Sequence, residues 1–234
     1  MLARPTTTRM RFFDMNLSLR VSRLQERTEV LGPGVRSVVW FQGCSLRCAG
    51  CMAQSMNDDP ANETWSPAAL AKRLCRLAGI EGVTLSGGDP FDQPPEALCA
   101  LTEAVRRDSD LSIMVFTGRT LAQLRRQLPP ALSERLFSNI DILVDGPYVE
   151  ELNDGSLWRG SSNQEIHFLT PRYAHLRSLV ASSRSRGLEV SVRNGHELEI
   201  TGIPPRGFLA GLNRRLDDRG LMLDFSANPD SNEA

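Results

Sequence analysis

Short apolar runs alternate with segments of helical periodicity through the middle of this 234-residue chain. Runs such as residues 35–41 and 111–116 have the length of buried strands, and an amphipathic segment follows each of them after a loop. Repeated strand–loop–helix units are typical of a parallel sheet that is covered by helices. The sequence therefore predicts an α/β fold.

A single domain is expected over residues 16–225, between flexible tails at 1–15 and 226–234. Alternating runs at 188–192 and 197–201 flank Asn194-Gly195, which predicts a hairpin, and a helix follows at about 207–216. The chain has 41% hydrophobic and 24% charged residues, and its apolar runs are shorter than the roughly 18 residues that span a bilayer. With no secretory signal pattern at the N-terminus, a cytoplasmic location is expected. The net charge of −1 argues against a broad nucleic-acid surface.

Three cysteines, Cys44, Cys48 and Cys51, follow the apolar run at 35–41 with the spacing C-x3-C-x2-C. Thiolates are soft ligands that suit zinc or an iron–sulfur cluster. Cubane clusters usually take four cysteines, one for each iron. Three close cysteines without an obvious fourth therefore favour a [4Fe–4S] cluster in which one iron is left open to bind a small molecule.

The other two cysteines, Cys75 and Cys99, stand alone in predicted helices. We expect both to be small buried apolar residues. Either of them could instead be the fourth ligand of the cluster, and in a zinc site the fourth ligand would be one of them or a histidine. An odd number of cysteines with three clustered does not fit a secreted disulfide framework.

A second motif, Gly87-Gly88-Asp89-Pro90, ends the apolar run at 82–86. Two glycines at a strand end allow a ligand to approach the backbone closely, and Asp89 could orient a cationic group. Taken alone, the motif also fits an ordinary tight turn. Asp145 ends a later strand, where it is either a site residue or a turn aspartate. Parallel α/β folds bind their ligands at these strand ends.

Together these motifs resemble the radical S-adenosylmethionine (SAM) superfamily, with the cysteines similar to its cluster motif and Gly87–Pro90 similar to its SAM-binding motif. Over about residues 28–169, the chain more specifically resembles the activating proteins of glycyl-radical enzymes, above all those of anaerobic ribonucleotide reductase. The motifs that carry this likeness are Gly32-Pro33-Gly34-Val35-Arg36, Phe41-Gln42-Gly43-Cys44, Phe116-Thr117-Gly118, Asp145-Gly146-Pro147-Tyr148 and Gly160-Ser161-Ser162-Asn163-Gln164.

The resemblance implies that Cys44, Cys48 and Cys51 ligate three irons and that the fourth iron chelates SAM. It implies an incomplete (β/α)6-type barrel with about six parallel strands, open on one side and extended by the C-terminal hairpin and helix. Near Asp145, related activators have an acid that helps to bind a monovalent cation or the partner. The implied cofactor-binding residues are Gly50, Met52, Gly87, Gly88, Asp89, Pro90, Thr117 and Asp145.

The implied reaction is the reductive cleavage of SAM to methionine and a 5′-deoxyadenosyl radical, which abstracts hydrogen and installs a glycyl radical on a partner enzyme. The implied electron donor is a flavodoxin or ferredoxin-type protein, and neither nucleic acid nor membrane is an expected partner. Met52-Ala53-Gln54 and the long region after Arg172 favour a second hypothesis, a radical SAM enzyme that modifies a peptide or small molecule directly. A third is a non-catalytic zinc module or electron carrier.

Overall fold

The computed structural model describes residues 17–57, 63–184, 187–193 and 197–221. The predicted tails at 1–15 and 226–234 lie outside these residues, as does the predicted turn at Asn194-Gly195. Within the described residues, no helix is both long enough and apolar enough to cross a membrane.

Among the described residues, seven strands form one mixed sheet in the order β3-β1-β2-β4-β5-β6-β7. The neighbouring strands β2, β4, β5 and β6 are parallel, whereas β1, β3 and β7 run antiparallel to the strands beside them. The strands are β1 Leu19–Thr28, β2 Arg36–Phe41, β3 Glu63–Trp65, β4 Gly82–Gly87, β5 Ser112–Phe116, β6 Ile142–Asp145 and β7 Glu165–Phe168. The predicted α/β class is confirmed.

Two details of the predicted sheet are wrong. Four strands of this sheet are parallel, not about six. β1 and β2 are antiparallel because only the short turn at residues 29–35 joins them, whereas two parallel neighbours need a longer crossover. The run at 17–24 was expected to form an edge strand, yet β1 lies between β2 and β3. β3 has only three residues, too few to show an alternating pattern in the sequence.

Helices connect the parallel strands, so that their C-terminal ends meet at one edge of the sheet. The first four are α1 Pro67–Cys75, α2 Pro95–Asp108, α3 Leu121–Gln127 and α4 Pro130–Asn139. The start of α1 agrees with the sequence prediction, since the Ser66 side chain accepts a hydrogen bond from the Ala69 N–H at 3.2 Å and Pro67 follows it. Thr120 and Gln123 form a capping box at the start of α3.

Both faces of the sheet are buried, which explains why its parallel strands read as continuous apolar runs. One face packs against the helices through side chains such as Leu70 of α1 and Leu98 of α2. The other face carries a smaller cluster that includes Met114, Trp158 and Tyr173. Burying each large apolar side chain contributes about 1.5–3 kcal/mol.

The C-terminal region after β7 differs in one respect from its prediction. A continuous helix was expected at 172–183, but a 3-10 turn at Pro171–Leu176 precedes a short helix, α5 Arg177–Ser182, because Tyr173 has a non-helical φ of −116°. The predicted hairpin is confirmed in its strands: β8 Leu188–Arg193 pairs antiparallel with β9 Glu197–Gly202. The last helix of the described residues is α6 Phe208–Asp217.

Candidate cofactor site

A cavity of about 450 Å³ lies where the parallel strands β2, β4 and β5 end. Its size is in the range of sites that hold small molecules and cofactors, roughly 300–1,000 Å³. Of the residues that the sequence predicted for the site, those that line the cavity are Cys44, Cys48, Gly50, Cys51, Met52, Gly87, Gly88, Asp89 and Thr117. Pro90 and Asp145, also predicted, are not among the lining residues.

The cysteine loop leaves β2 through Gly43, which has a positive φ of 89°. Its three thiols are free and half-buried, and the Cys51 N–H donates to the Cys48 carbonyl at 3.3 Å. Cys75 and Cys99 lie on α1 and α2 as predicted, and neither lines the cavity. Cys99 is buried as expected, whereas Cys75 is only partly buried, contrary to the prediction. The loop therefore presents three thiols to one cavity, which leaves one iron of a cubane without a cysteine ligand.

The thiol set fits an iron–sulfur cluster better than a single zinc ion. Burial raises the pKa of the Cys51 thiol, and charge on Cys48 and Cys44 raises it further, so that three thiolates need a cation beside them. A tetrahedral zinc with bonds of about 2.3 Å would hold the sulfurs within about 4 Å of one another. Among the described residues, the side chains of Asp145, Glu165 and His167 have potential metal-ligand atoms that all lie within 4.8 Å of one another. The three thiols do not form such a group.

The glycine-rich turn packs directly on the backbone of the cysteine loop. The Gly88 N–H donates to the Phe41 carbonyl at 2.8 Å, and the Asp89 N–H donates to the Gly43 carbonyl at 3.0 Å. A Cβ atom at Gly88 would lie 2.0 Å from the Gly43 carbonyl oxygen, and one at Gly87 would lie 2.5 Å from the Phe41 nitrogen. Both glycines are therefore needed for the two loops to approach each other.

Asp89 is a buried anchor for the neighbouring loops, with 2% of its surface exposed. Its carboxylate accepts hydrogen bonds from the Phe91 N–H at 2.9 Å, the Thr117 hydroxyl at 3.0 Å and the Gly118 N–H at 3.1 Å. Burial raises the pKa of this carboxyl, while these donors and the nearby Arg119 act in the opposite direction. The cationic group that the structure places on Asp89 is the Arg119 guanidinium, at 3.1 Å.

Arg119 is a residue that the sequence reasoning missed. Besides Asp89, its guanidinium contacts the Asp92 carboxylate at 2.5 Å and the Ser45 hydroxyl at 2.9 Å. Asp92 also accepts the Ser45 N–H at 2.6 Å, and Ser45 directly follows Cys44. Arg119 thus connects the cysteine loop to the glycine-rich turn. Its position directly after the Phe116-Thr117-Gly118 motif was the available signal.

Asp145 belongs to a separate cluster of polar side chains beside the cavity. Its carboxylate accepts the Leu121 N–H at 2.6 Å, at the start of α3, and lies 2.9 Å from the His167 Nε2 atom. Glu165 completes this group, with its carboxylate 3.9 Å from His167 Nε2. At the other end of β6, Asp141 is a buried structural residue that pairs with Arg106 at 2.5 Å.

The loop after β6 contributes Tyr148, Glu150, Asn153, Gly160 and Gln164 to the cavity lining. Gln164 orders this loop, because its side chain accepts the Gly160 N–H and donates to the Gly146 carbonyl, both at 2.7 Å.

A last part of the lining was not predicted from the sequence. All of residues 202–210, from the end of β9 into α6, line the cavity together with the cysteine loop. We call residues 202–210 the C-terminal wall. More than 150 positions separate it from the cysteines, so no local pattern could place the two together.

A parallel α/β sheet with three thiols of one loop beside a glycine-rich turn defines a protein that binds a single iron–sulfur cluster. The family model described as "4Fe-4S single cluster domain" matches residues 30–167. The anaerobic ribonucleoside-triphosphate reductase-activating protein of Vibrio cholerae is 35% identical over 150 residues, which cover 60% of this chain and 92% of that protein. The protein of the same name from Escherichia coli K12 is 33% identical over 147 residues, with the same coverage.

The chain therefore belongs to the 4Fe-4S single cluster domain family and, within it, to the group of anaerobic ribonucleoside-triphosphate reductase-activating proteins. The predicted enzyme class and cofactors are confirmed: this is a radical SAM enzyme of the glycyl-radical-activating type, with a [4Fe–4S] cluster and SAM. Among solved structures, QueE from Escherichia coli is 16% identical with a TM-score of 0.38, covering 45% of this chain and 55% of that one, too partial a likeness to bear on function.

Proposed function

We propose that the chain cleaves SAM reductively and installs a glycyl radical on a partner enzyme. The observation that carries this proposal is the cavity in which three thiols of one loop face a glycine-rich turn. The chemistry that the cluster and SAM supply when bound is the one-electron cleavage of SAM to methionine and a 5′-deoxyadenosyl radical, which takes a hydrogen atom from the substrate and becomes 5′-deoxyadenosine.

The chain's own residues would bind and orient these groups. Cys44, Cys48 and Cys51 would hold three irons. The glycine-rich turn would bring backbone groups close to the methionine end of SAM, and buried Asp89 would fix the turn through its four contacts. The residues that we propose to surround SAM are Gly50, Met52, Gly87, Gly88, Asp89 and Thr117.

Pro90 and Asp145 would support the site from outside the cavity. Pro90 begins the 3-10 turn after Asp89, and Asp145 fixes the start of α3 through the Leu121 N–H. A monovalent cation or a contact with the partner remains the proposed role of the Asp145 carboxylate.

For the whole molecule, we propose a single domain at residues 16–225 that forms an incomplete barrel. The four adjacent parallel strands and the antiparallel strands on both sides of them support this reading. The hairpin and α6 would then be an extension beyond the barrel.

The proposed partner is a glycyl-radical enzyme, because the relatives are named as activating proteins of anaerobic ribonucleoside-triphosphate reductase. The proposed reductant is a flavodoxin or ferredoxin-type protein, and the proposed location is the cytoplasm. These relatives match 60% of this chain, and the C-terminal wall lies beyond the family match at 30–167.

The test begins with anaerobic reconstitution of the full chain with iron and sulfide, reduction, and addition of SAM. We expect 5′-deoxyadenosine and methionine, and a glycyl radical in the electron paramagnetic resonance spectrum once the anaerobic ribonucleotide reductase of the same organism is added. Replacing Cys44, Cys48 or Cys51 by alanine should abolish all three: 5′-deoxyadenosine, methionine and the glycyl radical. The control Cys75→Ala, outside the cavity, should retain them. An intact reduced cluster that does not cleave SAM would refute the proposal.

A second candidate function is direct modification of a peptide or small molecule. The observation in its favour is that the C-terminal wall lines the cavity although it lies outside the family match. SAM cleavage without a glycyl radical on the reductase, together with a mass change in another substrate, would decide for this alternative.

A further inference from the structure

The C-terminal wall extends the surface of the cavity with apolar side chains. Ile203, Pro204, Phe208 and Leu209 line the same space as the cysteines and the glycine-rich turn. Apolar lining excludes solvent and dissolved polar compounds, and a carbon radical must be kept away from any solute that would donate a hydrogen atom to it. The wall is therefore placed to control what reaches the reacting atoms.

Two hydrogen bonds, one at Pro204 and one at the residue directly before the wall, connect it to parts of the molecule that lie apart. At one end, the Thr201 hydroxyl lies 3.1 Å from the Gln25 side-chain oxygen on β1. At the other end, the Asn153 side-chain amide, after β6, donates to the Pro204 carbonyl at 3.2 Å. In the sheet, β1 and β6 are separated by β2, β4 and β5. The wall thus reaches from the β1 side of the sheet to the β6 side.

The hairpin that carries the wall meets β1 through polar groups. Glu189 accepts the Thr28 hydroxyl and the Glu29 N–H, both at 2.7 Å, and a cavity of about 460 Å³ separates the two elements beside these bonds. The apolar side chains Val190 and Val192 point away and are 56% and 64% exposed.

The described residues of α6 include none that is buried. α6 and the outward face of the hairpin therefore bury little apolar surface, and the hairpin meets β1 mainly through these polar contacts and the Arg23–Glu199 ion pair. Segments attached in this way open at a small free-energy cost, on the microsecond-to-millisecond scale typical of active-site lids.

We propose that the C-terminal wall is a gate that selects a protein substrate. In the closed position it lines one side of the cavity, and it is displaced when a polypeptide loop of the partner enters. This inference deepens the proposed function and rests on it for the identity of the partner, whereas the gate itself can be tested without cluster or SAM.

The first experiment measures how fast the loop cysteines are alkylated in cluster-free, reduced, full-length protein, with mass spectrometry of the peptide that contains Cys44, Cys48 and Cys51. Two reagents are compared, iodoacetamide and a bulky polyethylene glycol maleimide. The anchor variants are Asn153→Ala and Thr201→Val. The control is Asn139→Ala, which also removes a side-chain amide bond, to Arg135 on α4, away from the cavity.

We expect each anchor variant to react about fivefold faster with the maleimide, the factor that corresponds to about 1 kcal/mol for one hydrogen bond. Iodoacetamide, which is small enough to pass the closed gate, should react at the wild-type rate. Equal maleimide rates in the wild type and both anchor variants would overturn the gate, as would an equal increase in the control.

The second experiment tests selection in the reconstituted enzyme. With the reductase present, the anchor variants should release several times more 5′-deoxyadenosine per glycyl radical formed, because dissolved compounds with weak C–H or S–H bonds, such as thiols, reach the radical and donate a hydrogen atom to it in place of the partner. An unchanged ratio would overturn the selective role. Failure of SAM cleavage in the wild type would count against the proposed function and leave the alkylation result standing.

Discussion

The Arg119 guanidinium lies 3.1 Å from the Asp89 carboxylate, and this ion pair connects the loop after β5 to the glycine-rich turn after β4. Asp89 is 1% and Arg119 17% exposed in their side chains, so water screens the pair only weakly. Through Ser45, the same guanidinium reaches the cysteine loop. Arg119 thus acts on the position of the first thiol through Ser45, the residue that directly follows Cys44.

Arg119→Ala should destabilise the protein and reduce its iron content. Removing one partner of a buried pair leaves the Asp89 carboxylate without its counter-charge, which lowers the free energy of unfolding by about 3–5 kcal/mol. Because Arg119 is partly exposed, solvent screening reduces this loss. Thermal unfolding of the cluster-free protein and iron per chain after reconstitution measure both effects. Arg125→Ala, at an exposed arginine of α3, is the control. Equal melting temperatures in the two variants would contradict the role assigned to the pair.

Gly88→Ala should prevent the close approach of the two loops. The added Cβ would lie 2.0 Å from the Gly43 carbonyl oxygen, so that backbone has to move, at a cost of about 1–3 kcal/mol or more. We expect a lower melting temperature and loss of the cluster spectrum.

The matched control for this variant is Gly211→Ala in α6, where an added Cβ meets nothing within 4 Å. It should be neutral or stabilise the helix by about 0.5–1 kcal/mol. A Gly88→Ala protein with normal stability and full iron content would show that the loops can separate without consequence.

The stabilisation that Tyr173 provides should be lost at alkaline pH. Its hydroxyl bonds to Glu81 and to Ser112, and burial, with the Glu81 bond, raises its pKa above the ordinary value of 10.0. As pH rises above 10, the unfolded chain loses this proton first, so the stabilisation present at lower pH is lost between the unfolded and folded pKa values. Chemical denaturation between pH 8 and about 11 should show a smaller decrease in Tyr173→Phe, with Tyr148→Phe as control. An identical decrease in wild type and Tyr173→Phe would contradict this assignment.

Cys99 should resist alkylation while the cysteine loop of the cluster-free protein reacts. Burial, followed by the charge of Glu103, raises the pKa of the Cys99 thiol to about 11. At pH 8 about one molecule in a thousand then carries the reactive thiolate. Timed iodoacetamide labelling of the native protein, with the unfolded protein as reference, checks this expectation. Labelling of Cys99 as fast as that of Cys48 would refute it.

Local sequence signals were sufficient for most elements of the fold. Ser66-Pro67 predicted the start of α1, and the alternating runs after residue 187 predicted the strands β8 and β9. They failed where partners are distant. β3 is formed by three residues that become a strand only because β1 lies beside them, and Tyr173 interrupts a helix whose periodicity looked continuous.

The sequence alone determined the α/β class, the three-cysteine loop and its family, because hydrophobic periodicity and motif spacing are local properties of the chain. Tertiary structure decided that Arg119 pairs with Asp89, that two glycines are required by the neighbouring loop, and that residues 202–210 wall the cavity. These contacts join residues far apart in the chain, and they depend on the order of the strands in the sheet.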